Sequence, residues 1–241
     1  DKYPLAGQTI TVSVGGGGAA PTATNGARNN GQSSSISGAG LPSITSAGGG
    51  GAFSPNSVGN VGQGANGGSG GGCCFSGGQA TQNPGSGNTP SVSPSQGFDG
   101  EPNDQGNRGR AGGGAVEDGG TDGNGSGGDG AQNDITGTAT YYAGGGGATY
   151  GTGGQGGGGN SFGYGAAQVG QSGQSNTGGG GGSSGGGVHA PQTAQNKPGT
   201  SGGSGVVIIK VPASKYSGQT TGSPTITDNG GFKVLKFTGS G

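Results

Sequence analysis

The sequence predicts an irregular, glycine-rich fold. We expect a bundle of polyglycine II (polyproline II-like) helices joined by variable loops, with a few short β-strands near the ends and almost no α-helix. Three observations support this prediction: glycine supplies 73 of the 241 residues, hydrophobic residues supply only 24%, and the apolar clusters lie near the two ends. Because few side chains can form a core, backbone hydrogen bonds must order the middle.

Glycine runs recur along the chain and are separated by spacers of varied length and composition. Runs of three to five glycines occupy residues 15–18, 48–51, 70–72, 112–114, 144–147, 156–159, 178–182 and 185–187. A flexible linker would repeat a simple Gly/Ser pattern throughout, whereas this alternation is typical of rods and loops. A polyglycine II helix makes no internal hydrogen bonds, so each rod must bond its neighbours, and inner rods must be free of side chains.

The two ends of the chain carry β-strand patterns. Ile10, Val12 and Val14 alternate with polar residues, which is the period of a strand. A β-branched run, VVIIKV, lies between a glycine and a proline, and FKVLKF follows the turn signal TDNGG, with Leu235 and Phe237 on the face of Lys233. Strands are therefore predicted at residues 8–14, 206–211 and 232–237.

The chain is predicted to be one glycine-rich domain spanning residues 1–241. Residues 1–14 would hold an initial β-strand, residues 15–205 the rods and loops, and residues 206–241 the C-terminal strands. The sequence begins with Asp1 and not with methionine, so we interpret it as a fragment of a longer polypeptide.

Charge and composition argue against several classes of function. The net charge is −1, which gives no basic face for nucleic acid, and no apolar run approaches the length of a membrane span. His189 is the only histidine, and we interpret it as a solvated loop residue and not a general base, so the sequence gives no argument for a Ser–His–Asp set. We therefore predict a protein that is not an enzyme and takes no cofactor.

Acidic residues cluster in the middle of the chain. Eight of the ten Asp and Glu residues lie between Asp99 and Asp134. Carboxylates suit Ca²⁺, but the spacing fits neither a twelve-residue calcium loop nor a nonapeptide repeat. The prediction is a solvated acidic loop without a metal, and calcium binding is the alternative.

The two cysteines, Cys73 and Cys74, are adjacent. Adjacent cysteines form a disulfide only with distorted geometry, so we interpret them as two small buried thiols. A link to another chain and a redox pair are the alternatives.

Aromatic residues at the edges of the glycine runs are candidate binding residues. They give large, rigid contact area at low entropic cost, which suits recognition of sugars or proteins; alternatively they cover the sides of the bundle. The candidate receptor-binding set consists of five aromatics at run edges, Tyr141, Tyr142, Tyr150, Phe162 and Tyr164, and of Phe98, Asp99 and Glu101 in the long spacer.

Three segments resemble the glycine-rich domain of bacteriophage tail-fibre and tail-tip proteins. They are GQTITVSVGGGG at residues 7–18, ATYYAGGGG at 139–147 and GGSGVVIIKVP at 202–212; the segment at 220–241 is similar to the usual end of such proteins. The plan of rods and loops is also similar to that of the distal tip adhesins of T-even-like phages. That resemblance implies a polyglycine II bundle whose loops contact a host receptor.

The resemblance implies a non-enzymatic adhesin of the virion tail fibre, extracellular in location, that binds a host cell-surface protein or glycan. It would also contact other virion or fibre subunits and form a homo-oligomer. A structural subunit of an extracellular fibre is the alternative, and an ice-binding protein is a third possibility. An adhesin predicts loops gathered at a free end, a fibre subunit predicts buried loops, and an ice binder predicts a flat face of regularly spaced small residues.

Overall fold

The computed structural model describes residues 7–21, 29–52, 63–73, 83–102, 108–162, 169–183 and 199–240. The strands are β1 Ile10–Ser13, β2 Ser34–Gly38, β3 Leu41–Ser46, β4 Ala131–Asn133, β5 Thr140–Tyr142, β6 Val207–Pro212, β7 Thr225–Asn229 and β8 Phe232–Phe237. Within these ranges the only helical element is a 3₁₀ turn at Ala213–Lys215. The expected scarcity of helix and the few short strands are confirmed.

The strands form three small antiparallel sheets, with the orders β1-β2-β3, β4-β5 and β6-β8-β7. The strands predicted at residues 8–14, 206–211 and 232–237 correspond to β1, β6 and β8. The other five strands were not predicted. Each of them pairs with the strand before or after it in the chain, and β2 pairs with both.

The first and third sheets share a hydrophobic core. Val12 of β1 packs with Leu235 and Phe237 of β8, and the partly buried residues around them are Ile10, Val14, Ile36, Val207, Ile209, Val211 and Tyr216. Val234 is only 1% exposed although it lies on the opposite face of β8. The imperfect alternation of FKVLKF follows from this, because the central strand is covered on both faces.

In the middle of the chain, glycine backbones bond to one another between separate segments. The run at residues 144–147 is buried along its whole length. It forms N–H···O=C bonds of 2.8–3.2 Å with Gly112, Gly128, Gly154, Gly156, Gly159, Gly180 and Ser183. This run therefore has hydrogen-bonded neighbours on several sides.

These segments approach too closely for side chains to fit between them. A Cβ on Gly145 would overlap the carbonyl oxygen of Gly112, and one on Gly146 would overlap that of Gly181. In both cases the obstacle is backbone, which cannot rotate away as a side chain could. Glycine is required at these two positions because of the close approach.

Consecutive runs lie antiparallel. Ala65 donates to the carbonyl of Gly51 at 3.0 Å and Gly68 donates to that of Gly48 at 2.9 Å, so the residue numbers fall on one run as they rise on the other. The first and last runs are also neighbours, because Gly202 donates to Gly18 and Gly205 donates to Gly15, both at 2.9 Å.

No helix in the described ranges is long and apolar enough to cross a membrane.

Candidate functional site

Phe98 and Asp99 lie on the side of a backbone-bonded segment. The Phe98 side chain is 39% exposed, while its N–H donates to Gly114 at 3.0 Å and its carbonyl accepts from Gly70 at 2.8 Å. The exposed Asp99 accepts the Gly87 N–H at 2.7 Å through Oδ1, and its own N–H donates to Asp118 Oδ1 at 2.9 Å. Their backbones are fixed and the phenyl ring is accessible.

Glu101 lies inside the molecule and not on the surface. It is 3% exposed and forms ion pairs with Arg108 and, at 3.8 Å, with Arg110. Its carboxylate also accepts the N–H of Ala111 at 2.9 Å and that of Gly125 at 3.2 Å. The sequence proposed Glu101 as a receptor contact, whereas these bonds make it a link between buried segments.

Tyr141 and Tyr142 lie on β5, opposite Gln132 and Ala131 of β4, and both are half-buried. The β4–β5 hairpin points toward the C-terminal sheet, because a Cβ on Gly137 would lie 3.0 Å from the side-chain amide nitrogen of Asn229. These tyrosines therefore lie at the end of the molecule where the sheets are.

Tyr150 is the most exposed of the candidate aromatics, at 70%. Its φ of +67° and the φ of +29° at Thr149 are rare for residues with bulky side chains. This turn is held by the Gly109 N–H, which donates to Thr149 Oγ1 at 2.9 Å. Phe162, half-buried, follows Ser161, whose N–H donates to Gly151 at 3.1 Å.

The candidates thus form three groups, each with its own backbone neighbours. Phe98 and Asp99 lie on a segment side, Tyr141 and Tyr142 on a hairpin, and Tyr150 near Phe162 at a turn. Glu101 lies apart in the interior, and Tyr164 falls outside the described residues.

Three carboxylates of the acidic region come together. Oxygens of Glu117, Asp122 and Asp129 lie within 4.8 Å of one another, and such oxygens are ligands that Ca²⁺ prefers. Glu117 Oε1 accepts the Asp129 N–H at 3.0 Å, and Asp129 accepts the backbone and side-chain N–H groups of Gln155 at 2.6 and 2.9 Å. Glu117 and Asp129 thus hold neighbouring segments together, and the absence of a metal stays a prediction.

Cys73 is buried, as the sequence interpretation proposes. It is 3% exposed, and its carbonyl accepts the Arg110 N–H at 2.6 Å. Burial raises the pKa of the Cys73 thiol to about 11, although the Arg110 charge acts in the opposite direction. Because the thiolate is the reactive form, this thiol is inert at neutral pH. Cys74 and His189 fall outside the described residues.

An ordered loop at residues 88–96 was not singled out from the sequence. Asn88 Oδ1 accepts the Val92 N–H and its Nδ2 donates to the Val92 carbonyl, both at 3.1 Å, while Gln96 Oε1 accepts the Ala47 N–H at 2.7 Å. Val92 is 43% exposed at the tip. The signal for this loop is its Asn, Pro and Ser content, which favours turns closed by side-chain hydrogen bonds.

Comparison with known protein families gives one finding. A family model described as a glycine-rich domain matches residues 1–212 of the chain. Neither the curated proteins nor the solved structures gave a match.

Proposed function

The chain belongs to the glycine-rich domain family, and from this premise we propose that it is an adhesin-like domain of a phage tail-fibre tip. In this proposal a bundle of polyglycine II helices presents loops to a protein or glycan on the host cell surface. The domain acts by binding and not by catalysis, and it functions outside the cell as part of the virion. It also contacts other fibre subunits.

The bundle carries the proposal, and its main support is the hydrogen bonding of residues 144–147. These glycines bond only to other segments, and none of them has φ in the left-handed region. A polyglycine II helix requires partners of this kind, because it has no internal bonds. A rigid scaffold that needs no side chains leaves the connections free to vary, which is how many binding surfaces are built.

Receptor binding is supported by the exposed aromatic residues on rigid backbone. Tyr150 is the strongest case, because it is 70% exposed in a turn with positive φ at two consecutive residues with side chains. Strained backbone of this kind persists where surrounding structure fixes it, and such strain clusters at functional sites. Tyrosine also gives contact area at low entropic cost. We propose Tyr150 and Phe98 as the main receptor contacts.

The structural-fibre alternative is favoured by one specific observation. The candidate residues are divided among a segment side, a hairpin and a turn. Several small contacts with neighbouring subunits would need such a distribution, whereas a single receptor site would not.

Binding to intact bacteria separates the two functions. The purified, fluorescently labelled chain would be incubated with a panel of Gram-negative and Gram-positive cells, and bound fluorescence would be measured by flow cytometry. An adhesin binds a subset of the strains with saturation. A fibre subunit binds no strain above the level of a labelled protein of similar size and charge.

Variants then assign the surface. We expect Tyr150→Ala or Phe98→Ala to weaken binding to the recognised strain by about tenfold, the effect of losing one aromatic anchor. Thr138→Ala, at an exposed position between β4 and β5, is the matched control and leaves binding unchanged. Saturable binding that both aromatic variants retain would refute this assignment of residues and leave the adhesin function standing.

A further inference from the structure

The C-terminal sheet has a basic face opposite the hydrophobic core. Lys210 of β6 lies over the ring of Phe232 of β8, with Nζ 4.9 Å from the ring centroid. Side chains alternate between the faces of a strand, so Lys236, four residues after Phe232 on β8, lies on the same face as Phe232 and Lys210. We call Lys210, Phe232 and Lys236 the basic face; Lys215, exposed, follows in the 3₁₀ turn.

The basic face is exposed in part and partly apolar. Phe232 is 38% exposed and Lys210 is exposed, whereas Lys236 is half-buried and Val234, between Phe232 and Lys236 on the same face, is covered. The acid on this sheet, Asp228, pairs with Lys233 at 2.7 Å on the core side and so does not neutralise the basic face. The face therefore presents positive charge around an accessible aromatic ring.

The bundle carries a surface of the opposite character. The exposed Asp99 and Asp118 are joined by a hydrogen bond of 2.9 Å, and Asp118 follows Glu117, whose carboxylate lies within 4.8 Å of that of Asp122. A large apolar side chain, Val116, is 50% exposed beside these carboxylates. Residues 99, 116, 118 and 122 are called the acidic surface below, and Phe98, proposed above as a receptor contact, is not part of it.

The basic face and the acidic surface carry opposite charges, and each also has an exposed apolar side chain. The net charge of the whole chain is −1, so neither sign is in excess. A net charge close to zero favours association, and opposite potentials steer the encounter of two molecules. Exposed apolar patches rimmed by charge mark interaction sites.

We propose that the basic face of one molecule binds the acidic surface of a second copy of this chain. Because the two surfaces are different, the contact is head-to-tail, and it builds a ring or an open filament and not a closed two-fold dimer. This inference concerns self-association and does not rest on receptor binding.

The test is sedimentation velocity of the full chain over a range of concentrations at low and high salt. At an ionic strength of about 0.02 M we expect the mean sedimentation coefficient to rise with concentration, and at about 0.5 M to return to the monomer value, because exposed charges are then screened. A chain that is monomeric in both conditions, or that assembles equally in both, overturns the proposal.

Charge reversal and mixing make the test specific. One variant reverses the basic face (Lys210→Glu with Lys236→Glu), and another reverses the acidic surface (Val116→Lys with Asp122→Lys). Each variant alone should associate more weakly by about tenfold or more, because like charges then meet. An equimolar mixture should assemble again, since each reversed surface matches the reversed surface of the other variant.

A control pair on β3, Ser43→Glu with Thr45→Glu, lowers the net charge at exposed positions outside both surfaces and should assemble like the parent chain. Thermal unfolding confirms that each variant is folded, and the Lys210→Gln with Lys236→Gln variant replaces the first if that one is not. Variants that still associate alone, or a mixture that stays monomeric, contradict the assigned surfaces.

Discussion

Gly180 donates its backbone N–H to the carbonyl oxygen of Gly144 at 2.8 Å. A Cβ built on Gly180 would lie only 2.6 Å from the backbone nitrogen of Gly146. Gly180 can donate this hydrogen bond because it has no side chain, so any substitution of Gly180 would disturb the bond.

Replacing Gly180 by valine should destabilise the protein by about 2 kcal/mol or more, because it displaces backbone bonds to Gly144 and Gly159, each worth about 1 kcal/mol net. The matched control is Thr138→Val at an exposed position, which should be nearly silent. Thermal unfolding of both variants measures the difference. Equal shifts would count against close backbone packing at Gly180.

Replacing Glu101 by glutamine should lower the free energy of unfolding by about 3–5 kcal/mol, the range for removing one partner of a buried ion pair. The neutral amide would remove the negative charge that faces Arg108 and Arg110. Asp122→Asn, at an exposed carboxylate, is the control and should change stability by less than about 0.5 kcal/mol. Chemical denaturation provides the comparison, and a similar loss in both variants would mean that Glu101 is not a structural carboxylate.

Stability should depend on pH through Cys73. The pKa of its thiol is raised from 9.0 to about 11 in the folded protein, so folding favours the protonated form. This contribution is complete below pH 9 and is lost as the pH rises from 9 to 11. Other groups titrate in the same range, so the measured quantity is the difference between the parent chain and Cys73→Ala. The stability advantage of the parent chain should shrink over that interval; a constant difference would argue against a buried thiol.

The C-terminal sheet allows a paired test of core packing. Leu235 and Ile226 are cross-strand partners, but Leu235 is 6% exposed whereas Ile226 is 39% exposed. Leu235→Ala should therefore destabilise the protein by about 2–5 kcal/mol and Ile226→Ala by much less, because only the first leaves a cavity in the core. Urea denaturation of the two variants measures both values. If both variants lose a comparable amount of stability, the side chain of Ile226 on the edge strand β7 is buried and not exposed.

Sequence patterns predicted the strands whose own residues are strongly apolar. β6 and β8 carry runs of Val, Ile, Leu and Phe, and β1 alternates strictly. The hairpin of β2 and β3 lies in one of the spacers between glycine runs and is rich in serine, so its strand pattern is weak; Ile36 and Ile44 form an apolar pair across it. β2 also pairs with β1, which precedes the first glycine run, and local propensity does not report such a contact.

The candidate surface was predicted only in part, for a similar reason. The sequence analysis selected two aromatic residues that are exposed in the structure, Tyr150 beside a glycine run and Phe98 in the long spacer. Nothing local distinguishes Glu101, which is buried, from Asp99, which is exposed two residues earlier. Burial of Glu101 depends on Gly125 and on the two arginines, which approach it only when the segments pack.

The hydrogen bonds that join Gly15 to Gly205 and Gly18 to Gly202 have a consequence for how such a chain can change in length. Since β1 and β6 lead into and out of the bundle on the same side, the glycine segments must make equal numbers of outward and return passes. A single added or deleted pass would separate the two sheets that share a core. Adding or deleting a whole hairpin of two passes keeps them together, so the module can grow or shrink in steps of two passes while its attachment to the sheets stays the same.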